Sequence, residues 1–306
     1  MRRLFWWRLL PVWVLAAAAA AAQSPAPTTP QVTVTAPRDQ QALPELPPDE
    51  FTRCMRMVSP ETIDYTQGVL CEAQLSREEH IVIEACINTK GDMTPPRIIQ
   101  ACTELLDRGI YEGNARYFLF ASRAAGYFAQ GDKQHALDDF DEAVKLAPRN
   151  AYVYYNRGVF HAAQSDNEAA LRDFDTAIGI NSSLVAALRQ RARIYQARGN
   201  FSDAREDYSK AIGLQPKTAA LWSDRGYVCL RQQDYENALK DEAEAIQLDP
   251  RLARAYYLRG AAAALGRLGD SHHAIDDIKT AVDLDPSLAG YVTLKGKAIS
   301  LGLPPF

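Results

Sequence analysis

The sequence predicts an all-α chain in which similar helix pairs are piled one on the next, behind a cysteine-rich helical segment. Three observations carry that prediction. Ala136, Ala170, Ala204 and Ala238 recur every 34 residues and Ala274 follows after 36, while Ala143, Ala177, Ala211, Ala245 and Ala281 trail them by seven. A fixed period in this range is the mark of stacked supersecondary units. Cys54, Cys71, Cys86 and Cys102 fall within 49 residues, among helix-start signals. The 306 residues are 47% hydrophobic and 24% charged, which supplies a sizeable core and excludes a disordered or collagen-like chain.

The first element, residues 1–22, reads as an export signal. Met1-Arg2-Arg3-Leu4-Phe5-Trp6-Trp7-Arg8 is a basic start, Leu9 to Ala22 is an apolar run broken by Pro11, and Ala20-Ala21-Ala22 offers small residues for cleavage before Gln23. The run is shorter than the roughly 20 residues that span hydrocarbon, so the expectation is a processed chain without stable membrane insertion. Residues 23–50 hold seven prolines among Ser, Thr and Gln and read as an extended linker.

Residues 51–113 form the four-cysteine segment. Ser76 and Glu79 make a capping-box pattern ahead of Ile81, Ile83 and Ala85; Thr94-Pro95 opens a second helix that Gly109 closes. In an oxidising compartment such clustered cysteines favour disulfides, and Cys54–Cys71 with Cys86–Cys102 is the pairing that locks neighbouring segments. Intervals of 17, 15 and 16 residues, with no C-x-x-C and no paired histidines, give zinc no support. No metal and no cofactor are expected.

Residues 114–288 carry five repeats, counted from Tyr117, Ala151, Val185, Ala219 and Ala253. Position 4 is bulky (Phe120, Tyr154, Leu188, Trp222, Tyr256) and position 8 is small (Ala124, Gly158, Ala192, Gly226, Gly260). Position 20 is the alanine series, and position 24 is Phe140, Phe174, Tyr208, Glu242 and Ile278. Small residues let helix A cross helix B closely, and bulky ones fill the space beside the crossing. Gly131, Gly199 and Gly269 fall in the turn between the helices, where positive φ costs glycine little. This pattern resembles the tetratricopeptide repeat, a 34-residue helix-turn-helix, and the resemblance implies a right-handed superhelical solenoid.

Position 7 is arginine in every repeat (Arg123, Arg157, Arg191, Arg225, Arg259) and position 23 is aspartate in every repeat (Asp139, Asp173, Asp207, Asp241, Asp277). The array is expected to be a structural ladder fixing how one helix pair docks on the next. Repeat four departs twice from the pattern. Glu242 at a packing position should be exposed or paired, and Cys229 should be a small core residue. In repeat five, two extra residues around 267–270 should place His272-His273 in a solvated turn. Tyr291, Leu294, Ala298 and Leu301 lie at helical spacing, so residues 289–306 are expected to be a capping helix and a tail.

Without the three arginines of the export signal the chain carries 31 basic against 38 acidic residues, which argues against nucleic acid as a partner. Arginine outnumbers lysine 25 to 9, as in proteins of GC-rich bacteria. The resemblance implies a concave face lined by helix A. Here that stripe carries Phe118, Phe128, Tyr152 and Tyr155, then Arg189, Arg193, Tyr227, Arg231, Arg254 and Tyr257. Aromatic and arginine side chains are the usual anchors of a protein or peptide partner, and the arginines suit an acidic or carboxylate-bearing one. The clamp of the family's chaperone-binding branch is absent, because Ala121 and Ala125 stand where Lys and Asn are required. No H-E-x-x-H, G-x-S-x-G or phosphate-binding glycine loop points to an enzyme. The chain is expected to be periplasmic or secreted after cleavage near Ala22, and its expected function is a non-catalytic interaction scaffold of the bacterial periplasm, with a periplasmic holdase for unfolded envelope proteins as the alternative.

Overall fold

The computed structural model describes residues 77–87, 93–109, 113–266, 271–295 and 298–302. Residues 1–50, expected from the sequence to be an export signal and a linker, lie outside the described residues, as do Cys54 and Cys71. The chain divides into two compact units, which part between Ser165 and Asp166.

The first unit holds α1 (Arg77–Ile87), α2 (Pro95–Asp107), α3 (Gly113–Gln130), α4 (Lys133–Leu146) and α5 (Ala151–Ala163). Helix α2 starts where the sequence places it, with Thr94 extended and proline in the first turn, and Gly109 closes it at φ +68°. A disulfide joins Cys86 of α1 to Cys102 of α2 across a Cα separation of 4.8 Å. Both cysteines sit in a core with Val82, Ala85, Ala101, Leu105, Leu106 and Leu119, the last contributed by α3. The cysteine-rich segment is therefore packed against the first repeat. Gly126 of α3 marks that close approach, since a Cβ there would stand 2.9 Å from Ile99 Cγ1.

The second unit holds α6 (Asn167–Ile180), α7 (Val185–Ala197), α8 (Phe201–Leu214), α9 (Ala219–Arg231), α10 (Tyr235–Leu248), α11 (Ala253–Gly266) and α12 (Ser271–Leu284). Its core is a run of local clusters, each built on a small residue at a helix crossing: Ala192 and Ala204 beside Tyr208 and Val228, then Ala238, Ala261 and Ala262 beside Cys229 and Leu258. Cys229 is buried as expected, and burial followed by the Asp241 charge pushes its thiol up to about 11. Asp132, Asn150, Asp166 and Asp234 each cap the helix that follows by accepting a backbone N–H.

Two expectations are corrected in this unit. His273 is exposed within the first turn of α12, so the histidine pair opens that helix and does not lie in the turn before it. Residues 289–302 are not a capping helix. A 3₁₀ turn, Pro286–Tyr291, leads into a hairpin of β1 (Val292–Lys295) and β2 (Ala298–Leu301), antiparallel with Lys295 opposite Ala298. Gly290, Gly296 and Gly302 disfavour helix, Val292, Thr293 and Ile299 favour strand, and the two-residue connection suits a hairpin. The hairpin closes through Gly302 N–H to Tyr291 O at 2.8 Å.

Candidate peptide-binding face

The position-7 arginines set the helix pairs. Arg123, Arg191, Arg225 and Arg259 each donate through Nε and Nη2 to both oxygens of the aspartate at position 23 of the same repeat, at 2.7–2.9 Å. The guanidinium also lies over the position-4 ring: Phe120 at 5.4 Å, Tyr154 at 5.8 Å, Trp222 at 5.1 Å and Tyr256 at 5.6 Å. The bidentate bond thus locks helix A to helix B within one repeat, correcting the expectation that this arginine–aspartate pairing joins one helix pair to the next. Docking on the preceding repeat falls to Nη1, which reaches position 25: Asp141 from Arg157 and Asp175 from Arg191 at 2.7 Å, and Ser209 from Arg225 at 3.1 Å. Arg157 and Asp173 stand on either side of the division between the units.

In the first unit the aromatic stripe is largely committed to packing. Tyr155 is buried, and Phe128 meets Phe160 edge-on at 5.4 Å within the core around Phe140. Phe118 and Tyr152 are half-buried.

In the second unit three A helices bring an arginine patch together. Asp224 of α9, only 4% exposed, accepts from Arg189 Nε of α7 at 2.7 Å and from Arg254 Nη1 of α11 at 2.6 Å. Arg193, one turn along α7 from Arg189, is exposed and has no ion pair among the described residues. Beneath them lies the buried Tyr208 hydroxyl. Burial and Asp224 push its pKa up, while Arg193, Arg254 and Arg189 pull it down. Its oxygen is 3.3 Å from Gln196 Oε1. Tyr227 is buried, with Arg231 and Arg254 each 5.8 Å from its ring, and its hydroxyl accepts from Arg231 at 3.0 Å.

Tyr257 leaves the proposed contact set. It is fully buried, its hydroxyl 2.6 Å from Gly302 O and 3.2 Å from Tyr291 O, so the C-terminal hairpin already occupies it. Burial pushes its phenol up to about 12.

Glu242 is neither exposed nor paired, against expectation. It is fully buried on α10, and neither carboxyl oxygen completes a hydrogen bond among the described residues. Its carboxyl packs on Gly226, where an added Cβ would lie 3.0 Å from Cδ. Burial raises its pKa well above the carboxylate range, against the opposing Arg254 charge and the nearby Ser223 hydroxyl.

Asp224 and the position-25 acceptors escaped the sequence reading. Asp224 follows Arg189 by 35 residues and precedes Arg254 by 30, so one step of the period aligns all three on adjacent A helices. That arithmetic is the signal that would have found it.

Family profiles described as Tetratricopeptide repeat match residues 123–184, 189–253 and 253–288, together more than half of the chain. The chain belongs to the tetratricopeptide repeat (TPR) family. No curated protein matches it. Among solved structures it is similar to residues 41-end of MamA from Desulfovibrio magneticus RS-1, at 15% identity over 57% of this chain and 98% of that one, with a TM-score of 0.52. It is similar to YrrB, a TPR protein with an unusual peptide-binding site, at 18% identity over 61% of this chain and 94% of that one, TM-score 0.52. A TPR protein from Parabacteroides merdae matches at 20% identity over 71% of this chain and 88% of that one, TM-score 0.54. At these identities the likeness establishes the TPR fold, in which helix pairs serve generally as scaffolds for protein interaction.

Proposed function

We propose that this TPR protein is an exported, non-catalytic scaffold of the bacterial periplasm that holds an acidic protein or peptide segment against the arginine face of its second unit. The observation that carries this is the gathering of Arg189, Arg193 and Arg254 about the buried Tyr208 hydroxyl, with Asp224 accepting from Arg189 and Arg254. On a mildly acidic chain, the exposed Arg193 presents a planar fork of donors that makes no ion pair among the described residues. YrrB, with the same fold, has an unusual peptide-binding site, which supports reading this face as a peptide site. Export is supported by the basic-apolar-small start of the sequence and by the Cys86–Cys102 disulfide, which persists in oxidising compartments.

The test is a binding assay with the full chain and two fluorescent peptides, (Glu-Ala)4 and (Lys-Ala)4. The acidic peptide should bind, weaken steeply with salt, and lose about tenfold or more in affinity on Arg193→Glu, the size of loss expected when an attractive charge becomes repulsive. Equal binding of both peptides, or indifference to Arg193→Glu, would overturn the reading.

A further inference from the structure

Position 24 is an aromatic or aliphatic core residue in four repeats, and in the fourth it is a carboxylic acid. Glu242 is enclosed by groups from three helices. Ser223 and Asp224 face it from α9, along with Gly226; Asp241 is its neighbour on α10; and Arg254 and Arg259 approach from α11. Ser223 is itself fully buried, and its hydroxyl completes no hydrogen bond among the described residues. Two adjacent helices therefore bring a hydroxyl and a carboxyl together inside a core with neither completing a well-formed hydrogen bond among the described residues, an arrangement that costs stability and calls for a reason. Arg254 connects this enclosed group to the surface patch, because the guanidinium that donates to Asp224 also acts on Glu242.

We propose that Glu242 is a buried proton switch for the arginine face, strengthening its hold on an acidic segment when protonated and weakening it when ionised. The inference rests on the peptide-binding reading above. With the proton in place, Asp224 is paired with Arg189 and Arg254, and Arg254 stays with Asp224. Once the proton leaves, a second carboxylate lies beneath the patch, cancels part of its field and draws Arg254 inward. Burial favours the protonated form, and Asp241 and Asp224 reinforce it. By linkage, an anion bound on the face makes proton loss from Glu242 harder, so binding and protonation strengthen each other.

The experiment follows the affinity of the full chain for fluorescent (Glu-Ala)4 from about pH 6 to about pH 9 at constant ionic strength, where the peptide's side chains, with pKa near 4.3, stay ionised. Cys229 at about 11 and Tyr257 at about 12 keep their protons throughout. Wild-type affinity should fall as pH rises, by about tenfold for each pKa unit that binding shifts Glu242. Glu242→Gln should keep its low-pH affinity across the range. Glu242→Phe, which restores the ring found in other repeats, should do the same and serves if the glutamine variant folds poorly. Parallel curves in wild type and both variants, flat or falling, overturn the switch and leave the arginine face standing. Failure of all three proteins to bind the peptide at any pH overturns the face and the switch together.

Discussion

Glu242 and Gly226 show how one residue choice dictates another. The carboxyl occupies the space that a Cβ at position 226 would need, with Cδ at 3.0 Å and Cγ at 3.2 Å from it. Gly226→Ala is predicted to destabilise the protein by about 1–3 kcal/mol through overpacking. Adding Glu242→Ala should recover part of that loss, a coupling that urea denaturation of the two single variants and the double variant will measure. The acid also makes stability depend on pH. Its folded pKa lies above its unfolded value, so the folded state binds the extra proton; the contribution is fully present below about pH 4.3 and is lost as pH rises through the folded value. Urea midpoints of wild type should therefore fall relative to Glu242→Gln between mildly acid and mildly alkaline solution. A constant difference would contradict this account. The sequence singled out Glu242 as a departure but not its surroundings, because the groups that enclose the carboxyl come from α9 and α11, which sequence spacing alone does not bring together.

At the scale of helices and turns, the arginine clamp and the interhelix turn carry separate predictions. Arg191 holds Asp207, whose side chain is 3% exposed, through two bonds, and reaches Asp175 with a third nitrogen. Arg191→Met strands a buried carboxylate and should cost about 3 kcal/mol, the usual penalty for removing one partner of a buried pair. Melting at an unchanged temperature would remove the clamp from the account. The turn at position 15 adopts positive φ at Gly131 (+86°) and Gly199 (+80°), but also at Ser165 (+64°) and Gln233 (+63°). A side chain there bears strain of about 1–2 kcal/mol, part of which a glycine relieves. Ser165→Gly and Gln233→Gly should each raise stability by up to about 1 kcal/mol, read from thermal or urea unfolding. The pairing of position 7 with position 23 was legible because both recur in phase. Its direction was not, since Arg191 stands 16 residues before Asp207 of its own repeat and 18 after Asp173 of the repeat before, and only the rotamer of the arginine decides.

At the scale of the whole chain, the repeat period made the helical fold legible, along with the small residues at helix crossings and the Cys86–Cys102 bridge. The last element was misread because Tyr291, Leu294, Ala298 and Leu301 fit a helical stripe, while the three glycines and the β-branched residues of the same stretch favour the hairpin that forms. The stripe of candidate contacts was legible only as a set of positions. Tyr155, Phe128 and Tyr257 are taken up by cores or by the C-terminal hairpin, whereas Arg189, Arg193 and Arg254 gather at one face. Aromatic side chains gain from burial wherever a neighbour offers it, and an arginine head group stays at the surface unless it finds a carboxylate. The central claim, that this face holds a polypeptide partner, is tested most directly by placing a photo-crosslinking residue at Gln196 and capturing neighbours in living cells. The account predicts a discrete acidic partner crosslinked to the otherwise wild-type chain and lost on Arg193→Glu. An identical set of crosslinked products from both chains would contradict it.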